Sequence, residues 1–209
     1  MQRRDPYQPA LEKARYELSC RDPFVAALKS GARPLAADVG AGVELTYWGR
    51  DLQVQWASGV VQSASGEPAQ TVVQLIVLHY LATADGAPLA DRWLSFRELP
   101  DGRVYDAAFR RRACLPLVRV FAERPEAFAA AGRRLGGERL SYGDVAFMFQ
   151  VLPRVRVATI LYRGDDEFPA EVNMLFDASL RHYLPIEDVA VLGGMVAGEL
   201  IRARTQGDG

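Results

Sequence analysis

The sequence predicts an α+β fold: a mixed, mainly antiparallel sheet built from hairpins, with helices packed on it, in a single domain. Three observations carry that prediction. Apolar residues recur at helical spacing near both ends of the chain, as in Leu11, Ala14 and Leu18. Strand-like runs come in pairs around tight turn signals, the strongest being Val145–Leu152 and Val155–Tyr162 around Pro153-Arg154. The two kinds of segment do not alternate as strand–helix–strand units, which argues against a doubly wound parallel sheet.

The elements follow in order. Residues 8–19 read as a helix. Asp22-Pro23 reads as the N-cap and first-turn proline of a second helix, stopped by Gly31. Residues 32–42 read as a loop. Val43–Trp48 and Leu52–Trp56 alternate apolar and polar side chains and predict a hairpin with Gly49-Arg50-Asp51 as a three-residue loop. Val60–Gln62 adds a short strand. Thr71–Thr83 is the most apolar helix, with Val72, Leu75, Ile76, His79 and Ala82 as its inward face. Trp93–Glu98 reads as a strand, and Pro100-Asp101-Gly102 as a turn in which proline sets φ and glycine permits positive φ. Ala107–Ala122 reads as a helix that Pro116 must kink or split. Another helix runs from Pro125 to about Leu135. The 145–162 hairpin is placed near the sheet centre. Val172, Met174 and Phe176 alternate but Leu175 breaks the pattern, leaving strand and short helix both open. Ile186–Ala203 is the closing helix, and residues 204–209 read as a disordered tail.

Composition limits the function classes. The chain has 209 residues, 49% apolar and 24% charged, the proportions of an ordinary globular protein. Its 25 basic side chains are balanced by 26 acidic ones, which offers no wide basic field for nucleic acid. The run Arg110-Arg111-Arg112 reads as a solvated helix face. The N-terminal Met-Gln-Arg-Arg-Asp-Pro has no apolar core of a signal peptide, and the longest apolar stretch, Val72–Ala82, is too short to span a bilayer. A cytoplasmic protein without membrane contact is the expectation. Cys20 and Cys114 stand far apart with no Cys-x-x-Cys, so this chain's thiols alone build neither a zinc site nor an iron–sulfur cluster. Nucleotide-binding and serine-hydrolase motifs do not occur.

Two features carry chemistry. Gly164-Asp165-Asp166-Glu167-Phe168-Pro169 follows a hydrophobic strand, with Asp177 soon after. Carboxylates at a strand end serve as hard-metal ligands or as acid and base, and the competing reading is a solvated turn. His79 lies on the apolar helix and His182 precedes a helix start. A neutral imidazole in such a place ligates iron or cobalt, and the competing reading is a satisfied structural histidine.

Several ordered motifs together resemble one family. They are Asp22-Pro23 to Gly31, His79-Tyr80-Leu81, Trp93–Pro100, Gly143-Asp144, Leu152–Val155, the acidic Gly164–Pro169 segment, Leu175-Phe176-Asp177 and Tyr183–Asp188. On these the chain resembles the domain-of-unknown-function 3786 family, found mostly in anaerobic bacteria and archaea. The resemblance implies no established activity. Some relatives add a four-cysteine iron–sulfur segment, which this sequence lacks. That company implies a haem, corrinoid or related metallocofactor.

Three functions are therefore expected. The first is a ligand-binding or accessory protein for a tetrapyrrole or corrinoid-type cofactor. Trp93 and Tyr162, with Trp48 and Trp56, would wall the ligand. His79 or His182 would be its axial ligand, and Arg97 would pair with its propionates or amides. The second is a carboxylate-dependent enzyme, with or without Mg²⁺, using Asp165, Asp166 and Glu167 supported by Asp177; His79, Asp165, Asp166 and Glu167 are its candidate metal ligands. The third is a structural subunit acting with a protein partner.

Overall fold

The computed structural model describes residues 6–35 and 41–205. The chain divides into two compact units. One comprises Met1–Leu89, Val151–Arg154 and His182–Pro185, the other Ala90–Gln150, Val155–Arg181 and Ile186–Gly209. Helices are grouped beside two antiparallel sheets, so the α+β class is what the chain adopts.

The first unit contains helices α1 (Gln8–Ser19), α2 (Pro23–Ser30) and α3 (Thr71–Thr83), and strands β1 (Arg33–Pro34), β2 (Gly42–Tyr47), β3 (Arg50–Gln55) and β4 (Val60–Ser63). Leu11, Ala14 and Leu18 are buried on one face of α1, as their spacing requires. Asp22 begins α2 by accepting the N–H groups of Phe24 at 2.8 Å and Val25 at 3.1 Å. Asp22→Ala should therefore cost about 1 kcal/mol, read as a lower urea midpoint.

The four strands pair in chain order. Val43 faces Val54 and Leu45 faces Leu52, so the alternating apolar residues of β2 and β3 share the buried side. The hairpin loop corrects the sequence reading. Tyr47 pairs with Arg50, leaving only Trp48 and Gly49 between the strands, with φ of 49° and 71°. Two successive positive φ values make a two-residue turn whose twist matches the strands, and glycine takes the second without strain. The predicted loop 32–42 also contains β1, which pairs with β2; residues 36–40 lie outside the described residues.

Helix α3 has the predicted limits but not the predicted face. Gln74, Leu75, Ile76, Val77, Leu78, Tyr80 and Leu81 are buried, whereas Val72, His79 and Ala82 are half-buried. A helix apolar nearly all round is covered on most sides, so its periodicity cannot report a single inward stripe. Gln74 is buried with both ends satisfied: its amide nitrogen donates to the Ala69 carbonyl at 2.8 Å and its oxygen accepts from Arg15 at 3.0 Å. The Tyr80 hydroxyl donates to the Ser30 carbonyl and accepts the Arg154 N–H at 3.1 Å, which ties α3 to α2 and to residues 151–154.

The second unit contains β5 (Trp93–Ser95), α4 (Gly102–Phe109), α5 (Leu115–Phe121), α6 (Pro125–Arg134), β6 (Glu138–Leu140), β7 (Val145–Leu152, whose last two residues are counted with the first unit), β8 (Val155–Tyr162), β9 (Glu171–Asp177) and α7 (Ile186–Thr205). Its sheet runs β5-β9-β8-β7-β6, which puts β8 at the centre. The ambiguous 172–176 segment is a strand, paired with both β5 and β8. Its Leu175 is half-buried while Val172, Met174 and Phe176 are buried, so the pleat tolerates an apolar residue on the less covered side.

Four local readings change here. The strand predicted to Glu98 stops at Ser95, because the Glu98 carboxylate accepts both the N–H (2.8 Å) and the hydroxyl (2.6 Å) of Ser95 and closes a 3₁₀ turn. In the following turn the positive φ falls on Asp101, at 62°. Gly102 is needed for space instead, since a Cβ there would lie 1.9 Å from the Phe96 carbonyl oxygen. Pro116 does not simply break its helix. The chain widens to a π turn over Arg110–Cys114 just ahead of it, which relieves the clash between the proline ring and the carbonyl four residues back. Finally, α7 continues to Thr205, and the rest of the predicted tail, 206–209, lies outside the described residues.

No helix among the described residues is long and apolar enough to cross a membrane.

Candidate functional site

The first unit holds a cleft of about 700 Å³ at the C-terminal end of α3. Tyr16, Glu17, Cys20 and Arg21 form one wall, at the end of α1. Lys29 comes from α2, and residues 82–85 close the cleft where α3 ends. The volume is that of a small-molecule pocket.

Asp85, exposed at the cleft, is held at both carboxylate oxygens. One carboxylate oxygen accepts the Ala87 N–H at 2.9 Å, and the other accepts Nδ1–H of His182 at 2.6 Å. The Ala87 amide, then the imidazole, hold the Asp85 carboxyl below its usual range, with a smaller push from the Lys29 charge. The Tyr183 hydroxyl donates to the Ala87 carbonyl, and the Tyr183 and Tyr80 rings meet at 5.7 Å. Residues 182–183 are thus fastened to residues 85–87 through side chains, not through strand pairing. The Asp85 carboxylate, which can only accept, places the His182 ring proton on Nδ1 and so sets the tautomer.

The sequence candidates are distributed as follows. His79 is half-buried on α3, and His182 sits at the cleft through Asp85. Both belong to the first unit. Trp93, Arg97 and Tyr162 belong to the second. There Trp93 is half-buried opposite Asp177 on β9, Arg97 is exposed in the 3₁₀ turn, and Tyr162 is 38% exposed at the end of β8. Trp48 is a turn residue. Trp56 is buried, and its indole N–H donates to the Arg21 carbonyl at 3.0 Å, so it serves the packing beside the cleft.

The acidic segment has the geometry of a solvated turn. Asp165 accepts the N–H groups of Glu167 at 2.9 Å and Phe168 at 2.7 Å, and those amides hold its carboxyl below the usual range. Asp166 and Glu167 are exposed. Asp177 is buried and accepts the Ala90 N–H, the Ser179 N–H and the Ser179 hydroxyl, a bracing role. Among the described residues no three His, Cys, Asp or Glu side chains are grouped so as to hold a metal ion. Cys20 is exposed, and burial pushes the Cys114 thiol up to about 11.

A family model described as a domain of unknown function, DUF3786, matches residues 22–199. The chain belongs to the DUF3786 family. No curated protein and no solved structure gives a match. The DUF3786 match spans α2 to most of α7, so it includes Lys29, Asp85 and His182.

Sequence reading missed Asp85, Arg21, Lys29 and Tyr16. Asp85-Gly86 looked like no more than a helix stop, and 97 positions separate Asp85 from His182. One signal was present: in a chain whose basic residues are nearly all arginine, Lys29 is one of just two lysines.

Proposed function

We propose that this DUF3786 protein is a ligand-binding or accessory protein, that the cleft at the end of α3 is its site, and that its ligand is a tetrapyrrole or corrinoid-type metallocofactor. The observation that carries the proposal is the His182–Asp85 pair. A histidine held at one nitrogen by a carboxylate is the arrangement that orients an axial ligand and raises its basicity. The donor set therefore fits such a group, with His182 preferred to His79 because the Asp85 carboxylate at the cleft holds its Nδ1. The metal would supply the redox or alkyl-transfer chemistry, and the chain's own residues would bind and orient it. The cleft walls are more polar than the aromatic enclosure expected from Trp93 and Tyr162, which suits the rim of a cofactor carrying acid or amide side chains.

The test is titration of the purified chain with haemin and with cobalamin, followed in the visible. A band shift is expected with one of them. His182→Ala should abolish it, His79→Ala should keep it, and Asp85→Asn should weaken binding by about 10–100-fold. A wild-type chain that shifts neither spectrum overturns the metallocofactor.

A further inference from the structure

We infer that the same cleft recognises an oxyanion, a carboxylate or phosphate group of the ligand, through Arg21 and Lys29. The inference rests on the cleft being the ligand site, but not on the ligand holding a metal.

The argument is one of charges already committed. Four charged side chains line the cleft, two acidic and two basic. Both acids are engaged. Glu17 pairs with Lys13 at 3.5 Å, one helical turn away, and Asp85 holds His182 and the Ala87 N–H. Among the described residues, no ion pair within 4.0 Å involves Arg21 or Lys29. With Lys13 counted beside Glu17, three basic side chains stand against two acidic ones at the cleft, which leaves a net positive field. A cleft with low-dielectric walls concentrates such a field on an incoming anion.

Both cations also stand on fixed backbone. The Arg21 N–H donates to the Leu18 carbonyl at 2.9 Å, and the Arg21 carbonyl accepts the Trp56 indole at 3.0 Å. The root of that guanidinium is thus tied to the buried face of the unit. The Lys29 stem packs against Gly86, where an added Cβ would lie 3.5 Å from the Lys29 Cγ. That places the Lys29 stem beside the residue that follows Asp85 in the cleft wall. A guanidinium fork and a point-charge ammonium together suit an oxyanion. Tyr16, 71% exposed at the same wall, offers a flat apolar face to the rest of the ligand.

The experiment is an amide NMR titration of the full chain with inorganic phosphate, and separately with acetate, at constant ionic strength set with chloride. Saturable shifts confined to residues 16–21, 29 and 82–87 are expected with at least one probe. Saturation by phosphate alone assigns a phosphate group, and by acetate alone a carboxylate. Arg21→Gln and Lys29→Gln should each weaken binding by about threefold and the double variant by about tenfold, as solvent-exposed charges do. Arg103→Gln, on an exposed position of α4, should change nothing. Shifts that never saturate, or that saturate equally in the double variant, overturn the inference. Anion binding without any haemin or cobalamin band shift leaves it standing and removes the metallocofactor; a band shift without anion binding removes the inference alone.

Discussion

Phe109→Ala should destabilise the protein by about 3–5 kcal/mol, seen as a lower urea midpoint with an unchanged slope. Phe109 is 3% exposed and stacks on Phe96, with ring centres 4.2 Å apart and planes 3° from parallel. It also meets Phe176 edge-on at 5.9 Å, so it joins α4 to β9. The wall behind it is what makes truncation expensive. A Cβ on Gly193 would lie 2.4 Å from the Phe109 ring, so α7 presents bare backbone at full contact. With no side chain at Gly193 to relax inward, the cavity left by alanine stays open. Gly193→Ala alone should cost about 1–3 kcal/mol by overpacking. In the Phe109→Ala background the same change should cost less or stabilise, because the added methyl then enters the vacated space.

Asp177→Ala should cost about 2–4 kcal/mol, because it leaves three donors without their acceptor in a buried place. The carboxylate is 2% exposed and accepts the Ser179 hydroxyl at 2.6 Å and the Ser179 and Ala90 N–H groups, each at 2.9 Å. These contacts fix the end of β9 and the segment entering β5. Burial alone would push this carboxyl up. The hydrogen bonds donated to it outweigh burial and hold it below the usual carboxylate range. A group whose folded-state pKa is depressed adds stability above its unfolded value of about 3.9 and loses it as pH falls through the folded value. The stability gap between wild type and Asp177→Asn should therefore be largest near neutrality and shrink below about pH 4, in urea unfolding across pH.

Much of the fold was legible because local physics set it. The cap at Asp22-Pro23, the limits of α3 and the β7–β8 hairpin each depend on neighbouring residues and appear where their signals stand. Misreadings occurred where one specific contact, not a repeating pattern, decided. Ser95 and Glu98 ended β5 early through a side-chain turn that alternation cannot show. Gly102 was needed because the Phe96 carbonyl lies against it, not because its φ is positive. β6 went unread because Glu138–Leu140 carries no alternation and forms only by pairing with β7. The acidic turn drew attention through its composition, and in it Asp165 accepts two of the turn's own amides.

By itself the sequence determined the class of fold, the family and most element limits, since these follow from patterns within a few residues of one another. Tertiary structure alone decided which charged groups meet. His182 became a held imidazole only when the chain returned to Asp85, and Arg21 and Lys29 came to line one cleft only once α1, α2 and α3 packed. Helical and strand periods encode which side of an element is buried. They carry no information about which side chain from a remote segment arrives at its end, and the candidate site is made of such arrivals.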